Sequence, residues 1–89
     1  MAYQVTLTHQ AAKQLGKLTK SAAHDIGAKI AWLAQNIESI RHERLKGHEE
    51  YSLHSGGYRI LYSLDHTRQL VIIEDVDEHD AAYRRLRRR

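Results

Sequence analysis

Gly57-Tyr58-Arg59-Ile60-Leu61-Tyr62 is the stretch that decides the fold. It is a strand-like run that follows a second glycine, Gly56, and Gly56-Gly57 is a two-residue hairpin signal of the primed-turn kind. On the other side of the turn, Glu50 to His54 alternates apolar and polar residues. A two-residue turn pairs Ser55 with Tyr58, His54 with Arg59, Leu53 with Ile60 and Tyr51 with Tyr62. Side chains alternate across a strand, so Tyr51, Leu53, Ile60 and Tyr62 share one face, the expected core face. Glu50, Ser52, His54, Arg59, Leu61 and Ser63 take the other. A one-residue slip would mix the two sets, so the register is strongly specified.

Working outward, Asp65-His66-Thr67-Arg68 reads as a second turn and Gln69 to Val76 as the next strand. Its Leu70-Val71-Ile72-Ile73 run has the look of a central strand buried on both faces. A short helix from about His79, with Tyr83 and Leu86 on one side, is expected to close the chain. Towards the N-terminus, residues 39 to 48 are polar and charged and read as a loop. Before them, Ala22, Ile26, Ile30, Leu33 and Ile37 form a helical stripe. Thr19 or Ser21 can cap that helix, with Asp25 in its first turn. A shorter helix opens at Thr8 or His9 and presents Ala11, Leu15 and Leu18, although Gly16 weakens it. Tyr3 to Thr8 alternates like a half-buried strand. The order is β-α-α-β-β-β-α. A small antiparallel sheet cannot bury its apolar face alone, so the helical hairpin must pack on it, giving an α+β fold.

The 89 residues suffice for one small domain, residues 1 to 89, with one modest core. No segment approaches the roughly 18 consecutive apolar residues of a membrane helix, and the N-terminus lacks a basic-then-apolar secretory pattern. There is no cysteine, which excludes disulfides and thiolate metal sites. A cytoplasmic protein is expected. Net charge is only +3, but it is unevenly spread. Residues 84–89 read RRLRRR and residues 74–80 read EDVDEHD. Such a chain is no uniform polyanion-binding surface.

The polar face of the hairpin gathers a carboxylate, a hydroxyl, an imidazole and a guanidinium. Cleavage of RNA by its own 2′-hydroxyl needs a base, a group that stabilises the crowded phosphorane, and an acid for the leaving 5′-oxygen. Glu50 or His54 can take the proton. Arg59 offers a bidentate fork to phosphate oxygens. His79, directly after the strand, can be the acid, and Tyr83 can stack on a base. Polar residues on the outer face of a sheet are equally what water requires.

With these motifs in place, the sequence resembles the RelE/ParE toxin superfamily along nearly its whole length. The resemblance runs from YQVTLTHQAA (Tyr3 to Ala12) through Arg44-Leu45-Lys46-Gly47 and the Gly57–Tyr62 strand to Tyr83-Arg84. It implies the toxin of a type II toxin–antitoxin pair: a ribosome-dependent mRNA endonuclease, or mRNA interferase, that inhibits translation. An antitoxin whose C-terminal segment wraps the toxin would form a hetero-oligomer with it. By the same resemblance Arg59 binds the scissile phosphate and Tyr83 orients the substrate base. Two lysines of RelE correspond to Glu50 and Ser52 here, and the arginine acid before the C-terminal tyrosine is replaced by Glu78-His79. Other nucleases of the superfamily use histidine or glutamate, with a histidine four residues before an aromatic, as His79 and Tyr83 are spaced. The site reads as a His/Glu variant or as a degraded one.

The remaining features are weighed more briefly. The acidic cluster Glu74, Asp75, Asp77, Glu78 and Asp80 with His79 has ligand chemistry, yet a solvated strand end or a surface for a basic partner explains it as well. No metal or cofactor is expected. Arg44 and Lys46, and Arg84, Arg85 and Arg87 of the tail, can hold RNA phosphates. Trp32, beside the helical stripe, reads as packing. His9, His24, His42, His48 and His66 look scattered and receive no role. Besides an mRNA endonuclease acting on the ribosome, two functions stay open: a ParE-like poison of DNA gyrase, and an inactive toxin that only binds its antitoxin.

Overall fold

The computed structural model describes residues 2–44, 47 and 49–78. The elements are β1 (Gln4–Leu7), α1 (His9–Gly16), α2 (Lys20–Gln35), β2 (Glu43–Arg44), β3 (Tyr51–Ser55), β4 (Tyr58–Asp65) and β5 (Leu70–Glu78). The expected C-terminal helix lies outside the described residues.

The helical hairpin forms as its capping residues dictate. Thr8 accepts a hydrogen bond from the amide of Ala11, and Thr19 from that of Ala22, so each threonine satisfies an amide that the helix start leaves open. α2 buries Ile26, Ile30 and Leu33 of the expected stripe, and Ile37 continues it just past the helix end. Asp25 falls beyond the first turn because the helix begins at Lys20. Trp32, read as packing beside the stripe, is instead 42% exposed, with the Lys29 ammonium 4.5 Å from its ring centre.

The sheet has five strands in the order β1-β5-β4-β3-β2. β3, β4 and β5 form the antiparallel meander, and their hairpin has the register expected of the Gly56-Gly57 turn at each position from Ser55↔Tyr58 to Tyr51↔Tyr62. Gly56 alone of the two glycines takes a positive φ, +59°, as in turns where only the first central residue needs it. The second turn is closed by Asp65, whose carboxylate accepts the Arg68 amide, and by Gln69 at φ +52°.

The sheet departs from the sequence reading in three ways. β1 runs parallel to β5, making the sheet mixed; alternation along a strand carries no information about its direction. All four β1 residues are exposed, because among the described residues β1 is an edge strand with no neighbour on its far side, and the buried residue is Tyr3 just before it. Glu43–Arg44, expected in a loop, pairs with Tyr51–Ser52 as the opposite edge. A two-residue charged strand has no alternation to betray it.

The core lies between the helices and one sheet face. Ala11, Ile26, Ile30, Leu33, Ala34 and Ile37 meet Tyr3, Ile60, Tyr62, Val71, Ile73 and Val76 there, with Tyr51, Leu53 and Tyr58 packed against them. At one side of this core His42 forms a bridge. Its Nε2 is 2.9 Å from the Ile37 carbonyl oxygen, an obligate acceptor, so Nε2 carries the proton. Nδ1 then accepts the Tyr62 hydroxyl. His42 is a structural histidine, a role the sequence did not disclose.

Candidate functional site

Arg59 occupies the middle strand, β4, on the face opposite the helices. Its cross-strand partners are His54 on β3 and Asp77 on β5. Its Nη1 donates to Ser52 Oγ at 2.7 Å. Arg59 is only 6% exposed and Ser52 5%, whereas His54 is exposed. Glu50, two residues before Ser52 and immediately before β3, is also buried. The hairpin thus brings His54, Ser52 and Arg59 together as the alternation implies. The solvation that would have explained this face is missing: Arg59, Ser52 and Leu61 are buried.

A β-bulge shapes the other flank. Leu61 pairs with Asp75 but Tyr62 pairs with Ile73, so Glu74 is an extra residue on β5. The bulge changes which residues share a face. Val71 and Ile73 point into the core, and so does Val76, while Asp75 and Asp77 move to the face of Leu61 and Arg59. Asp75 is 1% exposed. Its Oδ1 accepts the Gln14 amide at 2.8 Å, and Gln14 Oε1 accepts the Val76 backbone amide at 2.8 Å. Thr8 Oγ1 and Gln10 Nε2 both donate to the Glu74 carbonyl. β1 covers β5 only as far as Ile73, and side chains of α1 satisfy the edge beyond it.

Asp75 and Asp77, weighed in the sequence only as part of the acidic cluster, flank Arg59 on its own face. The signal was there: core positions 71, 73 and 76 step by two and then by three, which breaks strict alternation where the bulge sits. Glu74, Asp75, Asp77 and Glu78 of the acidic cluster are therefore part of a strand and partly buried, rather than a solvated strand end. Opposite charges directly across neighbouring strands attract, so Asp77 offsets the guanidinium charge that Arg59 would present to a phosphate. Among the described residues no group of three or more His, Asp and Glu is placed to hold a metal ion.

The other nominated residues are apart from this face or undescribed. Arg44 lies on β2, with its guanidinium stacked 4.8 Å from the Tyr51 ring centre and its Nη2 donating to the Tyr51 hydroxyl at 2.8 Å. Lys46, His79, Tyr83, Arg84, Arg85 and Arg87 lie outside the described residues. No described helix is long and apolar enough to cross a membrane.

The sequence model of the ParE toxin of type II toxin–antitoxin systems, parDE, matches residues 5–83. The chain belongs to the RelE/ParE superfamily of toxins. Solved structures agree with this assignment. The toxin is similar to a chain of the RelBE2 toxin–antitoxin complex from Mycobacterium tuberculosis, at 26% identity over 89% of this chain and 100% of that one, with a TM-score of 0.71. It is similar to a chain of the intact E. coli RelBE complex, at 27% identity over 86% and 96%, with a TM-score of 0.71. A mutant of the E. coli toxin RelE in the free state shares the fold, with a TM-score of 0.76 at 24% identity over 93% and 90%. No curated protein sequence matches the toxin.

Proposed function

We propose that this toxin cleaves messenger RNA on the ribosome, with Arg59 as the phosphate-binding group and a cognate antitoxin as the partner that restrains it. The observation that supports this most is the cross-strand pair His54 and Arg59, with Arg59 fixed on Ser52. It sets an imidazole beside a guanidinium, the two groups that 2′-hydroxyl attack needs first. His54, being exposed, takes the 2′-hydroxyl proton. Glu50 is the less suited base because it is buried. Arg59 stabilises the charge that builds on the phosphorane oxygens. His79 protonates the leaving 5′-oxygen and Tyr83 stacks on the base. Arg44, Lys46, Arg84, Arg85 and Arg87 contribute backbone contacts. The structural relatives include toxins solved with their antitoxins, which supports a protein partner for this chain.

Primer extension on translated messages after induction tests the reading. Codon-positioned cuts are expected. Arrested growth with intact messages would reject it. A second reading, a gyrase poison sharing the fold, is favoured by the carboxylates Asp75 and Asp77 on the Arg59 face and by the match to the ParE sequence model. It predicts a gyrase–DNA cleavage complex in vitro and uncut messages.

A further inference from the structure

The first acidic residue in the chain is Asp25; before it come Lys13, Lys17 and Lys20, with His9 and His24. His9, Lys13 and Lys17 follow one another at steps of four, which places them on one side of α1 and its C-cap. All three are exposed. With Gln10, Gln14 and Asp77 they line an open groove of about 440 Å³. Asp77 is the cross-strand partner of Arg59, and such partners sit about 5 Å apart at Cα. The basic groove therefore ends one strand-width from the proposed phosphate site.

Two kinds of anion fit a row of lysines: a nucleic-acid backbone and an acidic peptide. The local hydrogen bonding separates them. A peptide docking here would gain most by adding a strand to the uncovered edge of β5. That edge is already occupied, since Gln14 holds the Val76 amide while Thr8 and Gln10 hold the Glu74 carbonyl. A phosphate backbone needs only the cations and leaves those bonds intact.

We infer that the α1 groove carries the message strand onward from Arg59, with its phosphates on His9, Lys13 and Lys17. This rests on the endonuclease reading and names a binding surface for it. Lys13→Ala/Lys17→Ala tests it, both positions being exposed and alanine favouring the helix. The dissociation constant of labelled toxin is measured against salt on ribosomes programmed with a 2′-O-methyl message, which cannot be cut. The double variant is expected to lower the slope of log affinity against log salt by about 1.4, at roughly 0.7 per phosphate contact of a single strand. An unchanged slope overturns the inference. So does an equal drop on ribosomes without message, which would assign the groove to ribosomal RNA. Weaker binding of polyglutamate with an unchanged RNA slope would assign it to an acidic protein, and also overturns it. Cutting of unmodified message by the parent toxin is scored in parallel. Cutting without the slope change rejects the groove and keeps the nuclease; the slope change without cutting keeps the groove as an RNA site and rejects the nuclease.

Discussion

At Tyr62, burial and a hydrogen bond act on the same proton. Desolvation, then the neighbouring Tyr51 and Glu43, push its ionisation far above the ordinary 10.0, so the folded protein holds the hydroxyl proton where the unfolded chain releases it. The stability from this difference is complete below pH 10.0 and is lost as the pH rises above it towards the folded value. Tyr62→Phe removes the donor to His42 and is expected to cost about 1–3 kcal/mol near neutral pH. Urea unfolding of both proteins across the alkaline range should show that gap shrinking above pH 10.0; a gap independent of pH would contradict the role of this proton. Burial also governs how Arg59 is best tested. Removing one member of a buried charged group costs about 3–5 kcal/mol, so Arg59→Ala confounds activity with folding. Arg59→Lys keeps the charge and loses the planar fork. None of this was legible in the sequence, because a hairpin register states which face a residue takes and says nothing of whether water reaches it. His42 was hidden for the same reason: its partners are twenty residues away at Tyr62 and five away at Ile37.

Elements with a local cause were legible, and those set by distant contacts were not. The β3–β4 register follows from two glycines and alternation, and α2 from its cap and stripe. The bulge at Glu74 depends on a partner strand and on α1, and strict alternation through residues 70–78 misassigns every side chain after it. Deletion of Glu74 tests this device. Without the extra residue, Ile73, Asp75, Val76 and Asp77 alternate regularly, so Val76 stays in the core and Asp75 and Asp77 stay on the Arg59 face. The expected loss is only about 1–3 kcal/mol, from the bonds of Thr8 and Gln10 to the Glu74 carbonyl, out of the roughly 5–15 kcal/mol that holds a domain folded. Chemical denaturation followed by circular dichroism measures it. Loss of the folded state would mean that Glu74 is a needed ladder residue rather than the extra one. The same device places Asp75 and Asp77 beside Arg59, so a structural irregularity decides the charge of the candidate site.

Over the whole molecule, charge is arranged by position rather than amount. The net +3 conceals an N-terminal segment without acids, a partly buried acidic strand end and an arginine-rich terminus. The superfamily was legible because its motifs come in order along the chain, and most of those residues report fold: Tyr58, Ile60 and Tyr62 all belong to or pack on the core. Arg59 is the motif residue on which the proposed chemistry rests, and it is set among Ser52, His54 and Asp77. Whether this face cuts RNA is decided by the ends it leaves. Attack by a 2′-hydroxyl joins that oxygen to phosphorus and expels the 5′-oxygen, giving a 2′,3′-cyclic phosphate upstream and a 5′-hydroxyl downstream. The direct measurement is end-group analysis of message incubated with purified toxin and programmed ribosomes, run beside Arg59→Lys. The expected result is fragments with 5′-hydroxyl ends, formed about 10²-fold more slowly by the variant, as for loss of a donor that stabilises the transition state. Uncut message, 5′-phosphate ends, or equal rates from both proteins would contradict an Arg59-centred nuclease.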